Sequence, residues 1–226
     1  MYRLINENAD ILANAFNEKH SKSIENYLAI MNSRDSIDQS KFRTFYRMNG
    51  KGLSKEFFNE YFNILKTKKV GNYKLGLTNE SATNDFLLIL KGLYAVDSSN
   101  HKNRKDRKNK SKKIHFSFSS KLLHTLNPSC PIYDSKIAAF YFLSDTTAKT
   151  AEYRFELCKK QYEFLMAEYE RIEKEKLLDK TISSFKSKVN DFEKISFTKQ
   201  IDYILWHFIT ELQSGKILEK EIIYHR

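Results

Sequence analysis

The chain has 226 residues, a formal net charge of +11 and a pI of about 9.4. At 41% hydrophobic residues, with 17 Phe, 13 Tyr and one Trp, it carries enough apolar surface for a core, which excludes global disorder. Six glycines and two prolines are too few for the regular turns of a β-sandwich or barrel, and two cysteines exclude a disulfide framework or a four-thiolate metal cluster.

In chain order, residues 7–31 read as helix, with Ile11, Leu12, Ala15 and Phe16 on one face and Ile24, Tyr27, Leu28 and Met31 continuing it after His20. The pattern breaks at Asp35–Asp38. An apolar cluster of Phe42, Phe45, Tyr46 and Met48 then precedes the turn Asn49-Gly50-Lys51-Gly52. Ser54 is an N-cap candidate for a helix carrying Phe58, Tyr61, Phe62 and Leu65, and residues 71–78 read as loop. Thr78 or Asn79 caps the next helix, apolar almost all round from Phe86 to Tyr94. Residues 97–113 hold no apolar side chain and cannot join a core. After residue 100, Lys102, Arg104, Lys105, Arg107, Lys108, Lys110, Lys112 and Lys113 face one carboxylate, Asp106. Thr150 to Leu178 reads as one long helix, its stretch Glu168–Lys176 solvated. Ile182, Phe185, Val189 and Phe192 continue the spacing, and Ser196 or Thr198 opens a last helix that ends near Gly215. Lys113–Phe118 and Ile217–Tyr224 also suit short strands.

The segment between the basic stretch and the long helix carries the chemistry. It runs Ser119-Ser120-Lys121-Leu122-Leu123-His124, then Asn127-Pro128, then Pro131-Ile132-Tyr133-Asp134-Ser135-Lys136. With Ser117 or Ser119 as N-cap, Lys121 falls in a first helical turn, where the positive pole of the dipole and burial both favour a neutral, nucleophilic amine. Asp134 stands at the start of the following helix, where the same pole attracts an anion. A helix, a tight return and a second helix start bring both side chains to one cleft. Taken alone, each position also has a plainer reading: a solvated lysine, and an aspartate that does no more than cap.

Together with Phe45-Tyr46-Arg47-Met48-Asn49, Leu53-Ser54, Glu56-Phe57 and Tyr61-Phe62, this segment resembles bacterial proteins with an 8-oxoguanine DNA glycosylase-like fold, diverged members of the helix-hairpin-helix glycosylase superfamily. The resemblance covers about a third of the chain, residues 42–65 and 115–142. It implies Lys121 as the nucleophile on the sugar C1′ and Asp134 as its partner, acting on a base flipped out of the duplex. A Schiff base and strand-nicking β-elimination would follow. The Gly-rich hairpin that precedes the lysine in that superfamily is replaced here by His115-Phe116-Ser117-Phe118-Ser119-Ser120, and the lysine–aspartate spacing is shorter.

The resulting expectation is an all-α, two-lobed single domain: a lobe at 1–96, the basic loop at 97–113 and the motif lobe at 114–226. Its leading function is DNA glycosylase, with DNA as partner, no metal or other cofactor, a monomeric state and a cytoplasmic location, no apolar run approaching the length of a membrane span. Nucleic-acid contacts are expected from Ser119, Ser120, His124, Tyr133, Ser135, Lys136 and the eight cations of 102–113. Plainer roles stand beside these: His124 as a hydrogen-bonded structural residue, Tyr133 and Trp206 as packing, the basic stretch as a solvated insertion. Two other functions stay open, a non-catalytic helical nucleic-acid-binding protein and an interaction module of a defence or mobile-element system.

Overall fold

The computed structural model describes residues 1–33, 36–49, 53–77, 79–96, 114–143 and 150–215. Among them the regular structure is entirely helical, as composition predicts. The helices are α1 (Tyr2–Glu7), α2 (Ala9–Asn32), α3 (Gln39–Phe45), α4 (Lys55–Thr67), α5 (Asn79–Ala95), α6 (Phe116–Leu126), α7 (Ser135–Phe140), α8 (Ala151–Lys174), α9 (Asp179–Lys188) and α10 (Phe197–Gln213), with a 3₁₀ turn at Phe192–Lys194. No helix among the described residues is long and apolar enough to cross a membrane.

Side-chain caps set five of the helix starts. Asp38, Ser54, Asp134, Thr150 and Ser196 each accept backbone N–H groups of the first turn they precede. Three helices stop in the Schellman pattern, in which the residue after the C-cap turns left-handed and its N–H, with that of the next residue, reaches back to carbonyls of the last turn. Arg47, Phe142 and Lys176 hold that position, each at φ 53°, where glycine is the usual occupant. Lys176 explains one departure from expectation. The helix from Thr150 ends at Lys174 and does not continue to Leu178, because the left-handed residue turns the chain into α9. Nor is the whole of Glu168–Lys176 solvated, since Tyr169 and Ile172 on one face of the turn are buried.

α6 also begins earlier than predicted. Its N-cap is His115, not Ser117 or Ser119, so residues 116–118 are helical and Lys121 lies in the second turn. The dipole acts on it less than expected, and burial acts more.

Two hydrophobic clusters fill the interior. One joins α1, α2, α7, α9 and α10 around Phe16, Ile137, Phe185 and Phe208. The other joins α3, α4, α5 and α6 around Phe42, Phe57, Phe86 and Leu122. Each draws residues from both sides of the 97–113 stretch. α8 is the shared spine: Cys158, Tyr162 and Met166 belong to the second cluster, Leu165, Tyr169 and Ile172 to the first. Phe86 and Tyr162 stack at 4.1 Å between ring centres, which fixes α5 on this spine.

Candidate active site

The return from α6 to α7 is pinned along its length. The Asn127 amide donates to the Gly71 carbonyl at 2.8 Å, and the Pro128 carbonyl accepts the hydroxyls of Ser196 and Thr198. The Cys130 carbonyl meets His124 Nδ1 at 2.6 Å, and the Pro131 carbonyl accepts the Tyr162 hydroxyl at 3.2 Å. The Tyr133 N–H donates to Ser120 Oγ at 3.0 Å. Held at these points, the return folds Asp134 back beside α6.

Lys121 and Asp134 line one cleft of about 170 Å³. α2 contributes Phe16, His20, Ser23 and Asn26 to its wall. Phe45, Tyr46 and Arg47 come from the end of α3, and Ile132 from the return. α10 contributes Lys199, Asp202, Tyr203 and Trp206. An apolar cavity of about 150 Å³ accommodates one benzene ring, so this cleft is on the scale of a single planar ring system.

The Lys121 amine donates to the Tyr46 carbonyl at 3.3 Å. Burial lowers its pKa from that of an ordinary lysine. The charges of Asp134 and Asp202 act against that shift, while Lys199 and Arg47 reinforce it. Asp134 Oδ1 accepts the N–H groups of Lys136 at 2.9 Å and Ile137 at 3.0 Å. Its Oδ2 has no hydrogen-bond partner among the described residues, so one oxygen holds the helix start and the other is available for chemistry.

Lys199 and Asp202 form a buried ion pair one helical turn apart on α10, their side chains 6% and 8% exposed. The Lys199 ammonium also lies over the Tyr203 ring at 4.3 Å and the Tyr27 ring at 5.5 Å. Burial raises the Asp202 pKa, and the Lys199 charge opposes that rise. Arg47, exposed at the mouth, sets its guanidinium over the Trp206 ring at 5.5 Å. α2 departs from helical geometry at His20, whose ring packs edge-on against Trp206 at 5.2 Å.

The remaining expected contact residues fall in several places. Ser119 and Ser120 are fully buried, Ser119 donating to the His115 carbonyl at 2.9 Å and Ser120 tied to Tyr133. His124 is 1% exposed and belongs to the core side of α6, away from solvent. The Cys130 oxygen can only accept, so Nδ1 carries the proton and Nε2 accepts the Tyr27 hydroxyl at 2.9 Å. Burial pushes its pKa down to about 3, so the ring is neutral. Tyr133 stacks flat on Phe116 at 3.8 Å, between the two clusters. Ser135 is exposed, and Lys136 donates to the Gln213 side chain. Lys102, Arg104, Lys105, Arg107, Lys108, Lys110, Lys112 and Lys113 lie outside the described residues.

His20, Arg47, Lys199, Asp202 and Trp206 are cleft residues that sequence reading passes over, and Trp206 is only partly buried, where core was the expectation. One signal was available. Lys199 and Asp202 stand one helical turn apart and flank the apolar Ile201, with Tyr203, Ile204 and Leu205 following, so two opposite charges lie within a run whose neighbours belong to a core. Among the described residues no group of His, Cys, Asp and Glu could hold a metal ion. No family model, curated protein or solved structure matches the chain.

Proposed function

We propose that the protein is a DNA glycosylase that excises an oxidised or otherwise modified base, with Lys121 as nucleophile and Asp134 as its acid–base partner. The observation that carries this reading is the presence of both groups in one ring-sized cleft, the amine with its pKa lowered and the carboxylate with one oxygen uncommitted. The +11 charge supplies long-range attraction to the phosphate backbone, independent of sequence.

In the proposed reaction the flipped base enters between the aromatic walls. The neutral Lys121 amine attacks C1′ as the glycosidic C–N bond breaks, and the bonding pair leaves with the base, which takes up a proton from solvent water. The attacking nitrogen, now cationic, gives a proton to Asp134. Ring opening of the sugar yields the iminium, and loss of a 2′ proton with cleavage of the 3′ C–O bond would nick the strand. The Tyr46 carbonyl orients the amine before attack, and no metal or redox cofactor enters.

Base release measured on single- and double-stranded oligonucleotides bearing modified bases tests the assignment. Asp134→Asn should reduce turnover at least about 100-fold, the lower range for a positioned acid–base group, with DNA affinity largely intact. Full activity in that variant would remove Asp134 from the mechanism.

A further inference from the structure

Asp202 stands in the cleft wall with one carboxylate oxygen engaged and the other idle. Oδ2 accepts the Lys199 ammonium, whereas Oδ1 is buried and has no hydrogen-bond partner among the described residues. The whole residue is 5% exposed. A carboxylate oxygen sequestered without a donor is unfavourable, and buried polar atoms almost always have one. Lys199 is held on the opposite oxygen and over the Tyr203 ring. Asp202 lines the cleft, so a molecule bound there is placed to supply the missing donor. Tyr203 and Trp206 from α10, with Phe45 and Tyr46 from the end of α3, line the same space with flat apolar surface. An unpaired acceptor on the α10 wall, beside these rings and in the same cleft as the Asp134 assigned to Lys121, fits a planar heterocycle with an N–H on its edge.

We propose that Asp202 is the specificity-determining residue of the cleft, selecting a nucleobase that turns an N–H donor toward Oδ1 and rejecting a ring methylated at that position. The inference rests on the cleft being the base pocket proposed above. It adds which chemical edge of the base is read, and by which atom. A site built to accept a hydrogen bond discriminates strongly against an analogue that lacks the donor, because its own buried group is then left unpaired. For a charged acceptor the expected difference is about tenfold to a hundredfold.

Two purines of similar shape test this. Theophylline carries one ring N–H; caffeine carries a methyl group there and has no N–H. Trp206 is the single tryptophan and lines the cleft, so the one indole N–H signal in an NMR titration of the full ¹⁵N-labelled chain reports occupancy. The expected result is saturable movement of that signal by theophylline, with caffeine at least tenfold weaker. Replacing the ion pair by apolar groups of similar size, Lys199→Met with Asp202→Leu, should keep the fold and abolish the difference. Should that double variant lose its dispersed spectrum, Asp202→Asn serves instead. It turns an amide donor toward the cleft and should bring the two ligands within about twofold of each other or invert their order. Equal binding to the natural chain, no binding of either purine, or a preference that survives in the folded variants would overturn the proposal. A chain that discriminates the purines but releases no base from DNA would retain this inference and remove the glycosylase reading. Base release without discrimination would do the reverse.

Discussion

Lys121 Nζ donates to the carbonyl oxygen of Tyr46 at 3.3 Å, so the amine of α6 is oriented by the turn that ends α3. The next residue, Arg47, occupies the left-handed position of that turn and places its guanidinium at the cleft mouth. One Schellman turn thus positions an amine and a guanidinium, one half-buried and one exposed.

Arg47 should consequently trade stability against binding. Its φ of 53° suits glycine and costs a side-chain-bearing residue about 1 kcal/mol. Arg47→Gly should raise the unfolding free energy by about 1 kcal/mol, and Arg47→Ala should not, because alanine keeps the strained conformation. Both should weaken DNA binding alike and reduce the salt slope by about one unit. Urea unfolding and salt-dependent titration of both variants separate the two effects.

Lys121 should be a stability burden. Burial lowers its folded pKa below the ordinary 10.5, so between the two values the unfolded chain binds more protons and stability rises with pH. Below that window the folded state carries the cost of confining a charge. Lys121→Met removes the cost, and at pH 7 it should stabilise the protein by about 0.5 to 2 kcal/mol, the usual scale for relieving a functional compromise. Thermal unfolding of both chains at pH 7 and pH 10 checks this, and the advantage of the variant should shrink at the higher pH.

Acid should destabilise the fold through buried neutral histidines. Burial lowers the His124 pKa to about 3 and that of His207 to about 4, from an ordinary 6.5. Their contribution is complete above pH 6.5 and is lost as pH falls toward those folded values, at up to about 1.4 kcal/mol per pH unit for each. Unfolding by urea at pH 7.5, 6 and 5 should show the decline, and His124→Gln or His207→Gln should each flatten it. His124→Ala should in addition cost about 2 to 4 kcal/mol at neutral pH, since the Tyr27 hydroxyl and the Cys130 carbonyl lose their partner.

Features encoded within a few residues were legible in the sequence. The all-helical class follows from scarce glycine and proline and from apolar spacing, and Ser54 and Ser196 cap where their side chains could reach the next turn. Lys121 and Asp134 fall in one cleft because a short return with two prolines leaves the chain little choice of direction. The start of α6 differs from expectation because Ser117 and Ser119 both suit a cap, while their neighbours Phe116 and Phe118 have apolar partners that favour an earlier start. Ser119 and Ser120 then turn inward. The rest of the cleft wall was hidden because His20, Arg47, Asp202 and Trp206 meet only once α2, the end of α3 and α10 have packed, and no local pattern carries that information.

Borohydride trapping tests the central claim most directly. The full chain is incubated with oligonucleotides carrying a panel of oxidised and alkylated bases, reduced, and assayed in parallel for free base. The account predicts release of at least one modified base, with a covalent protein–DNA adduct that forms in the natural chain and is absent in Lys121→Met. Base release that persists undiminished in Lys121→Met, or an adduct that forms through another residue, would contradict it.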